Sequence, residues 1–197
     1  MSSSERWLIA GLGNPGAEYA HNRHNVGYWC VNRLARLHGV KLKAKTLAAI
    51  GEGDINGVPV VLLKPRTYVN RSGDAVAPSL RKWKIPTDHL IVVYDELDLP
   101  AGRVRIRKDG GHGGYKGAKS IIESIGSSDF PRIRIGIGRP HVDGEPTWEP
   151  EHVGDYVLSD PSSEQARTLQ DAVSRAAKAV EMIVTEGVEA AMNKYNK

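Results

Sequence analysis

The run Leu90-Ile91-Val92-Val93-Tyr94 contains no charged or strongly polar position. A strand with one solvated face alternates apolar and polar residues, so an unbroken run reads as a strand buried on both faces. Such a strand needs helices above and below its sheet, and the rest of the chain supplies them. Strand patterns occur at residues 7–12, 47–55, 58–64, 103–107 and 132–137, and helical periodicity at residues 26–38, 72–83, 116–125 and 162–186. Asn56-Gly57 sits between two of the strands and marks a tight hairpin. Ser72 and Gly126 stand where a helix cap and a helix stop are wanted. Strands alternating with helices predict a single three-layer α/β/α domain over residues 1–197, built on a mixed, mostly parallel twisted sheet. Residues 139–151, with three prolines and several charges, read as a surface loop.

Composition narrows the classes. The chain has 197 residues, a net charge of +4 and a pI near 9.2, which suits a polyanionic partner without requiring one. One cysteine, Cys30, excludes an internal disulfide framework and reads as buried filler in a helix. Met1-Ser2-Ser3-Ser4-Glu5-Arg6 has no long apolar core behind it, so no signal peptide is expected. No apolar stretch approaches the roughly 20 residues of a membrane span, and a soluble cytoplasmic protein is expected.

Residues 11–25, GLGNPGAEYAHNRHN, follow the first strand and imitate a dinucleotide-binding turn, because Gly11, Gly13 and Gly16 spell G-x-G-x-x-G. Pro15 argues against that reading. It has no N–H for a pyrophosphate and steers Asn14 away from helical angles where the nucleotide helix would begin. About 20 residues further on, where an acid should meet a ribose, the chain reads VNRLARLH. The segment instead offers an asparagine and two histidines.

Ligands of open α/β sheets bind at the carboxyl ends of the strands. Asn14, Asn70 and Asp95 each follow a strand pattern there. Asp95 closes the buried run and needs a partner for its charge, and His24 is the best candidate. A carboxylate on one ring nitrogen fixes the tautomer and makes the other nitrogen more basic. Glu96 and Asp98 read as a solvated turn. His21 and His24 have a spacing that zinc can use, but no third ligand is indicated and no metal or cofactor is expected. No nucleophile elbow is present, so the chemistry is an attacking water with His24 as base, steadied by Asp95. Asn14 and Asn70 offer uncharged donors and acceptors for an acyl group or the water. Arg103, Arg105 and Arg107 share one strand face, Arg132 and Arg134 line the next strand, and Gly110-Gly111-His112-Gly113-Gly114 leads into a helix. Together these read as a phosphate clamp for nucleic acid, with Tyr19, Tyr68 and Tyr115 as stacking platforms.

These residues resemble the bacterial-type peptidyl-tRNA hydrolases. GLGNPGAEYAHNRHNVG, KPRTYVNRSG, YDELDLPAG, GGHGGYKGAKSI and FPRIRIGIGRP follow that family's order and spacing across nearly the whole chain. The resemblance implies a metal-independent, monomeric enzyme without an obligate protein partner. Its implied reaction is hydrolysis of the ester between a peptide and the terminal ribose of tRNA. It implies His24 as general base and Asp95 as its partner. Asn14 would discriminate peptidyl from aminoacyl substrates, and Asn70 would bind near the ester. Tyr19 and Tyr68 would meet the tRNA end, and Arg107 and Arg134 its phosphates.

Two positions depart from the pattern. Val69 stands for the usual methionine, which trims apolar packing. Tyr115-Lys116 stands for histidine-asparagine. Lys116 replaces an acceptor with a cation that would lower the pKa of His24, stabilise an oxyanion, or reach a tRNA phosphate. That change keeps an alternative open, an RNA-binding protein on the same scaffold without hydrolase activity.

Overall fold

A computed structural model describes residues 5–197; the first four residues, part of the segment read as lacking a signal peptide, lie outside the described residues. The elements run β1 (Trp7–Gly11), α1 (Val26–Leu37), β2 (Lys43–Ala44), β3 (Ala48–Ile55), β4 (Val58–Pro65), α2 (Gly73–Trp83) and β5 (Leu90–Glu96). They continue through β6 (Val104–Arg107), α3 (Lys116–Ile125), β7 (Arg132–Gly136), β8 (His141–Val142), β9 (Glu145–Pro146), α4 (Pro150–Val157), α5 (Ser163–Glu186) and α6 (Val188–Tyr195). Seven strands form one sheet in the order β2-β3-β4-β1-β5-β7-β6. β4, β1, β5 and β7 are mutually parallel, whereas β3 and β6 run against their neighbours.

The unbroken apolar run behaves as its composition requires. Leu90, Val92 and Tyr94 face one core with Leu8, Ala10, Val61 and Leu63, beneath α2 and α3. Ile91 and Val93 face the other with Ile9, Val60 and Leu62, beneath α1 and α5. Both faces are covered, giving the expected three layers. Strand alternation then places Asp95, two residues beyond Val93, on the α1 side.

Three local expectations are corrected. Ser72 does not cap α2 with its side chain. The 3-10 turn Val69–Arg71 runs straight into the helix, Ser72 keeps helical angles, and its hydroxyl donates to the carbonyl of Val69 (2.7 Å). Residues 139–151 are more ordered than a plain loop. They hold the β8–β9 hairpin, turned at Asp143 (φ 53°) and Gly144 (φ 84°), and the start of α4 with Pro150 in its first turn. Arg132 does not present its charge to solvent. It is fully buried, and its guanidinium donates to the carbonyls of Gly110, Gly111 (2.6 Å) and Ser128 (2.9 Å), which anchors the glycine-rich loop.

Candidate active site

The segment after β1 does not enter a nucleotide-binding helix. Asn14 and Pro15 lead into two 3-10 turns, Ala17–Tyr19 and Arg23–Asn25, and only then into α1. Gly11 and Gly13 serve close packing instead, and Gly16 takes a backbone angle, φ 112°, that favours glycine. A Cβ on Gly11 would lie 2.1 Å from the carbonyl oxygen of Gly27, and one on Gly27 would lie 2.4 Å from that of Val93. Bare backbone at both positions lets the first turn of α1 rest directly on the ends of β1 and β5. That contact carries His24, just before α1, onto Asp95.

His24 Nδ1 lies 3.0 Å from Oδ1 and 2.9 Å from Oδ2 of Asp95, whose side chain is 3% exposed. A carboxylate only accepts, so Nδ1 carries the proton and Nε2 is left basic. Burial alone would depress the imidazolium, but the charge of Asp95 and its hydrogen bond outweigh burial and hold the pKa of His24 above 6.5. Lys116 is exposed at the first position of α3, and the influences found on His24 are burial and Asp95; of the three effects open to Lys116, lowering the His24 pKa finds no support.

Asn14 is locked in place. Asn25 accepts from its backbone N–H (2.9 Å) and donates to its carbonyl (3.0 Å), while Oδ1 of Asn14 accepts from the N–H of Val69 (2.9 Å). The amide nitrogen of Asn14 makes no hydrogen bond among the described residues. Asn70 is exposed in the next 3-10 turn. Val69, the first departure from the family pattern, is buried against Gly117.

A cleft of about 670 Å³ brings Asn14, Tyr19, His24, Tyr68, Asn70, Asp95 and Lys116 together. Tyr19 and Tyr68 meet edge to face at its mouth, with ring centroids 6.5 Å apart. Arg107 and Arg134 do not line it. Arg107 projects from β6, paired in register with Arg132, and Arg134 is bound to Glu96 at 3.1 Å.

Several cleft features escaped the sequence reading. Glu96 and Asp98 are not a merely solvated turn: Glu96 holds Arg134, Asp98 holds Arg139 at 2.7 Å, and both line the cleft. Trp148 and the α4 residues Val153 and Val157 form an apolar wall, whose signal was Pro150 at a helix start with valines four apart beyond it. Tyr115 is no free stacking platform. Its hydroxyl donates to Oδ1 of Asp95 (2.7 Å), and its ring lies 4.4 Å from that of Tyr94. Arg23, beside the base, grips the end of α4 through the carbonyls of Tyr156 and Ser159 (both 3.2 Å). His112 lies outside the cleft and accepts from the N–H of Gly114 (3.0 Å). Cys30 is fully buried, its thiol pushed up to about 12 by burial, and inert. Among the described residues no three His, Cys, Asp or Glu side chains gather as metal ligands, and no helix is long and apolar enough to cross a membrane.

Fold and site together define an α/β hydrolytic centre, a carboxylate-backed histidine at the carboxyl ends of parallel strands. Residues 8–197 match the family described as Peptidyl-tRNA hydrolase, and the chain belongs to that family. It is 45% identical to the peptidyl-tRNA hydrolase of Carboxydothermus hydrogenoformans over 97% of this chain and 98% of the relative. It is 46% identical to that of Syntrophomonas wolfei over 96% and 99%. The crystal structure of peptidyl-tRNA hydrolase from Acinetobacter baumannii superposes with a TM-score of 0.89 at 38% identity, covering 100% of this chain and 97% of that one.

Proposed function

We propose that the chain hydrolyses the ester between a peptide and the terminal ribose of tRNA. The observation that carries the reading is the bond from His24 Nδ1 to Asp95, which leaves Nε2 without a partner among the described residues, in a residue that lines the cleft. In this reading Nε2 takes a proton from water as the water attacks the ester carbonyl, and Asp95 steadies the imidazolium. The amide nitrogen of Asn14 donates to the substrate's acyl or amide oxygen, and Asn70 binds beside the ester. Collapse of the tetrahedral intermediate breaks the acyl–oxygen bond. The imidazolium returns its proton to the departing ribose oxygen, releasing free tRNA and a peptide carboxylate. No metal or cofactor enters this scheme.

Tyr19 and Tyr68 hold the tRNA end by stacking, and Arg107, Arg134 and Lys116 meet its phosphates. Residues 1–197 act as one domain, as a cytoplasmic monomer. The packing of α5 and α6 onto the same sheet as the site supports the single domain. Nothing observed favours a hydrolytically inactive RNA binder.

The test is turnover of peptidyl-tRNA by pure protein beside a His24→Ala variant. Wild-type turnover with loss of about 10²-fold or more in the variant is expected. Intact tRNA binding with no wild-type hydrolysis would sink the enzyme reading.

A further inference from the structure

We propose that Tyr115 is a positioning residue for this reaction: its hydroxyl holds the carboxylate of Asp95 in the orientation that turns both oxygens toward Nδ1 of His24. This rests on the reading of His24 as base, and it concerns a residue that departs from the family pattern. Oδ1 of Asp95 accepts from two donors, His24 Nδ1 and the Tyr115 hydroxyl, while Oδ2 accepts from His24 alone. A buried carboxylate with a single donor is free to turn about its last torsion; a second, independently anchored donor removes that freedom.

Tyr115 is itself fixed. Its N–H donates to the carbonyl of His112 (2.9 Å), its carbonyl accepts from the N–H of Lys119 (3.0 Å), and its ring lies against Tyr94. Tyr115 packs with the core beneath α2 and α3, His24 stands just before α1, and the two meet at Oδ1 of Asp95 with their rings 6.0 Å apart. Burial and the neighbouring Asp95 push the Tyr115 hydroxyl well above 10, so it remains a donor throughout the working range. The hydroxyl also draws off part of the carboxylate's charge, tempering its pull on the imidazolium.

The acidic groups beside the pair are already committed to arginines. Glu96 is bound to Arg134 and Asp98 to Arg139. Lys116 on α3 and the phenols of Tyr19 and Tyr68 line the cleft, and Tyr94 lies beneath Tyr115. Arg23 is turned away onto Gln165 and Tyr156. α4 presents only uncharged residues to the cleft.

The experiment is an NMR titration of the His24 ring in wild type, Tyr115→Phe and Tyr115→His, alongside the pH profile of peptidyl-tRNA turnover. Phenylalanine keeps the packing on Tyr94 and deletes only the donor. Its His24 midpoint is expected to rise by about half a unit or more. Its kcat should fall about 3- to 10-fold with KM within about twofold, and Tyr115→His, which keeps a ring N–H, should recover part of both. A lower melting temperature with an unmoved titration and pH profile would mark a merely structural role and overturn the proposal. The titration reports on the hydroxyl even if His24→Ala retains wild-type turnover, so failure of the base assignment stays distinguishable. If Tyr115→Phe does not fold, the wild-type spectrum decides. A slowly exchanging Tyr115 hydroxyl proton close to the His24 ring supports the bond, and exchange as fast as at exposed Tyr68 refutes it.

Discussion

His24 and Asp95 stand 71 positions apart in the chain, yet Nδ1 of the imidazole lies within 3.0 Å of both carboxylate oxygens. Asp95→Asn replaces an acceptor with an amide able to donate, so the imidazole is driven toward the wrong tautomer. With the carboxylate gone, burial is the remaining influence on His24 and lowers its pKa below 6.5. Turnover should fall about 10²-fold or more, and the acid limb of kcat/KM should move to lower pH. An unchanged limb would remove Asp95 from the scheme.

The same pair makes stability depend on pH. The His24 pKa is higher folded than unfolded, so the folded state binds the proton more tightly. The resulting stabilisation is fully present below 6.5 and is lost as pH rises through the folded value. The stability gap between wild type and Asp95→Asn should therefore be wider at about pH 6 than at about pH 9 in urea unfolding. A gap that widens with pH would contradict the assigned shift.

Asn14 has a structural duty as well as a chemical one. Asn14→Ala leaves the buried N–H of Val69 without its acceptor, a cost of about 1–3 kcal/mol. It also removes the free amide donor, so turnover should drop further than any loss of folded protein explains. Unfolding curves and kinetics on the same sample separate the two.

Gly27→Ala pushes a methyl group to within 2.4 Å of one backbone carbonyl and 2.5 Å of another, neither of which can yield without moving a strand. The expected cost is about 2–4 kcal/mol, with turnover reduced because α1 lifts His24 from Asp95. Gly154→Ala on α4 meets nothing within 4 Å and should leave stability unchanged or raise it by up to about 1 kcal/mol. Thermal unfolding of the two variants side by side checks the contrast.

Exposed Arg107 and paired Arg134 should differ in their effect on tRNA binding. Arg107→Ala is expected to lower the slope of log affinity against log salt by about 1, as for one phosphate contact. Arg134 already neutralises Glu96, so Arg134→Ala should change the slope less while loosening the cleft rim. Lys116→Asn should reduce the slope and leave the turnover pH profile in place. A moved profile would instead couple Lys116 to the base.

Local patterning settled the elements whose reasons are local. The apolar run at residues 90–94 demanded two covered faces, Asn56-Gly57 made its hairpin, and α3 occupies the span its periodicity predicted, stopped by Gly126 in a left-handed conformation. Asn14, Asn70 and Asp95 were legible as a group because each stands beyond a strand pattern at one end of the sheet, and His24 was legible as the partner the Asp95 charge needs. The tertiary structure decided what depends on packing between distant segments. The alternating pattern around Arg132 matched a basic strand face, and only the glycine-rich loop folding over it turned that arginine into a buried clamp. Tyr115 read as an exposed aromatic on a loop, and only the closeness of α3 to β5 brought its hydroxyl to Asp95. The glycines of the first turn matched a nucleotide motif by spacing. The reason for Gly11, the direct contact of α1 with two strand ends, lies in residues the motif does not contain. Spacing along a chain reports which way each side chain leaves its own element, whereas a hydrogen bond across the sheet depends on how close two elements come.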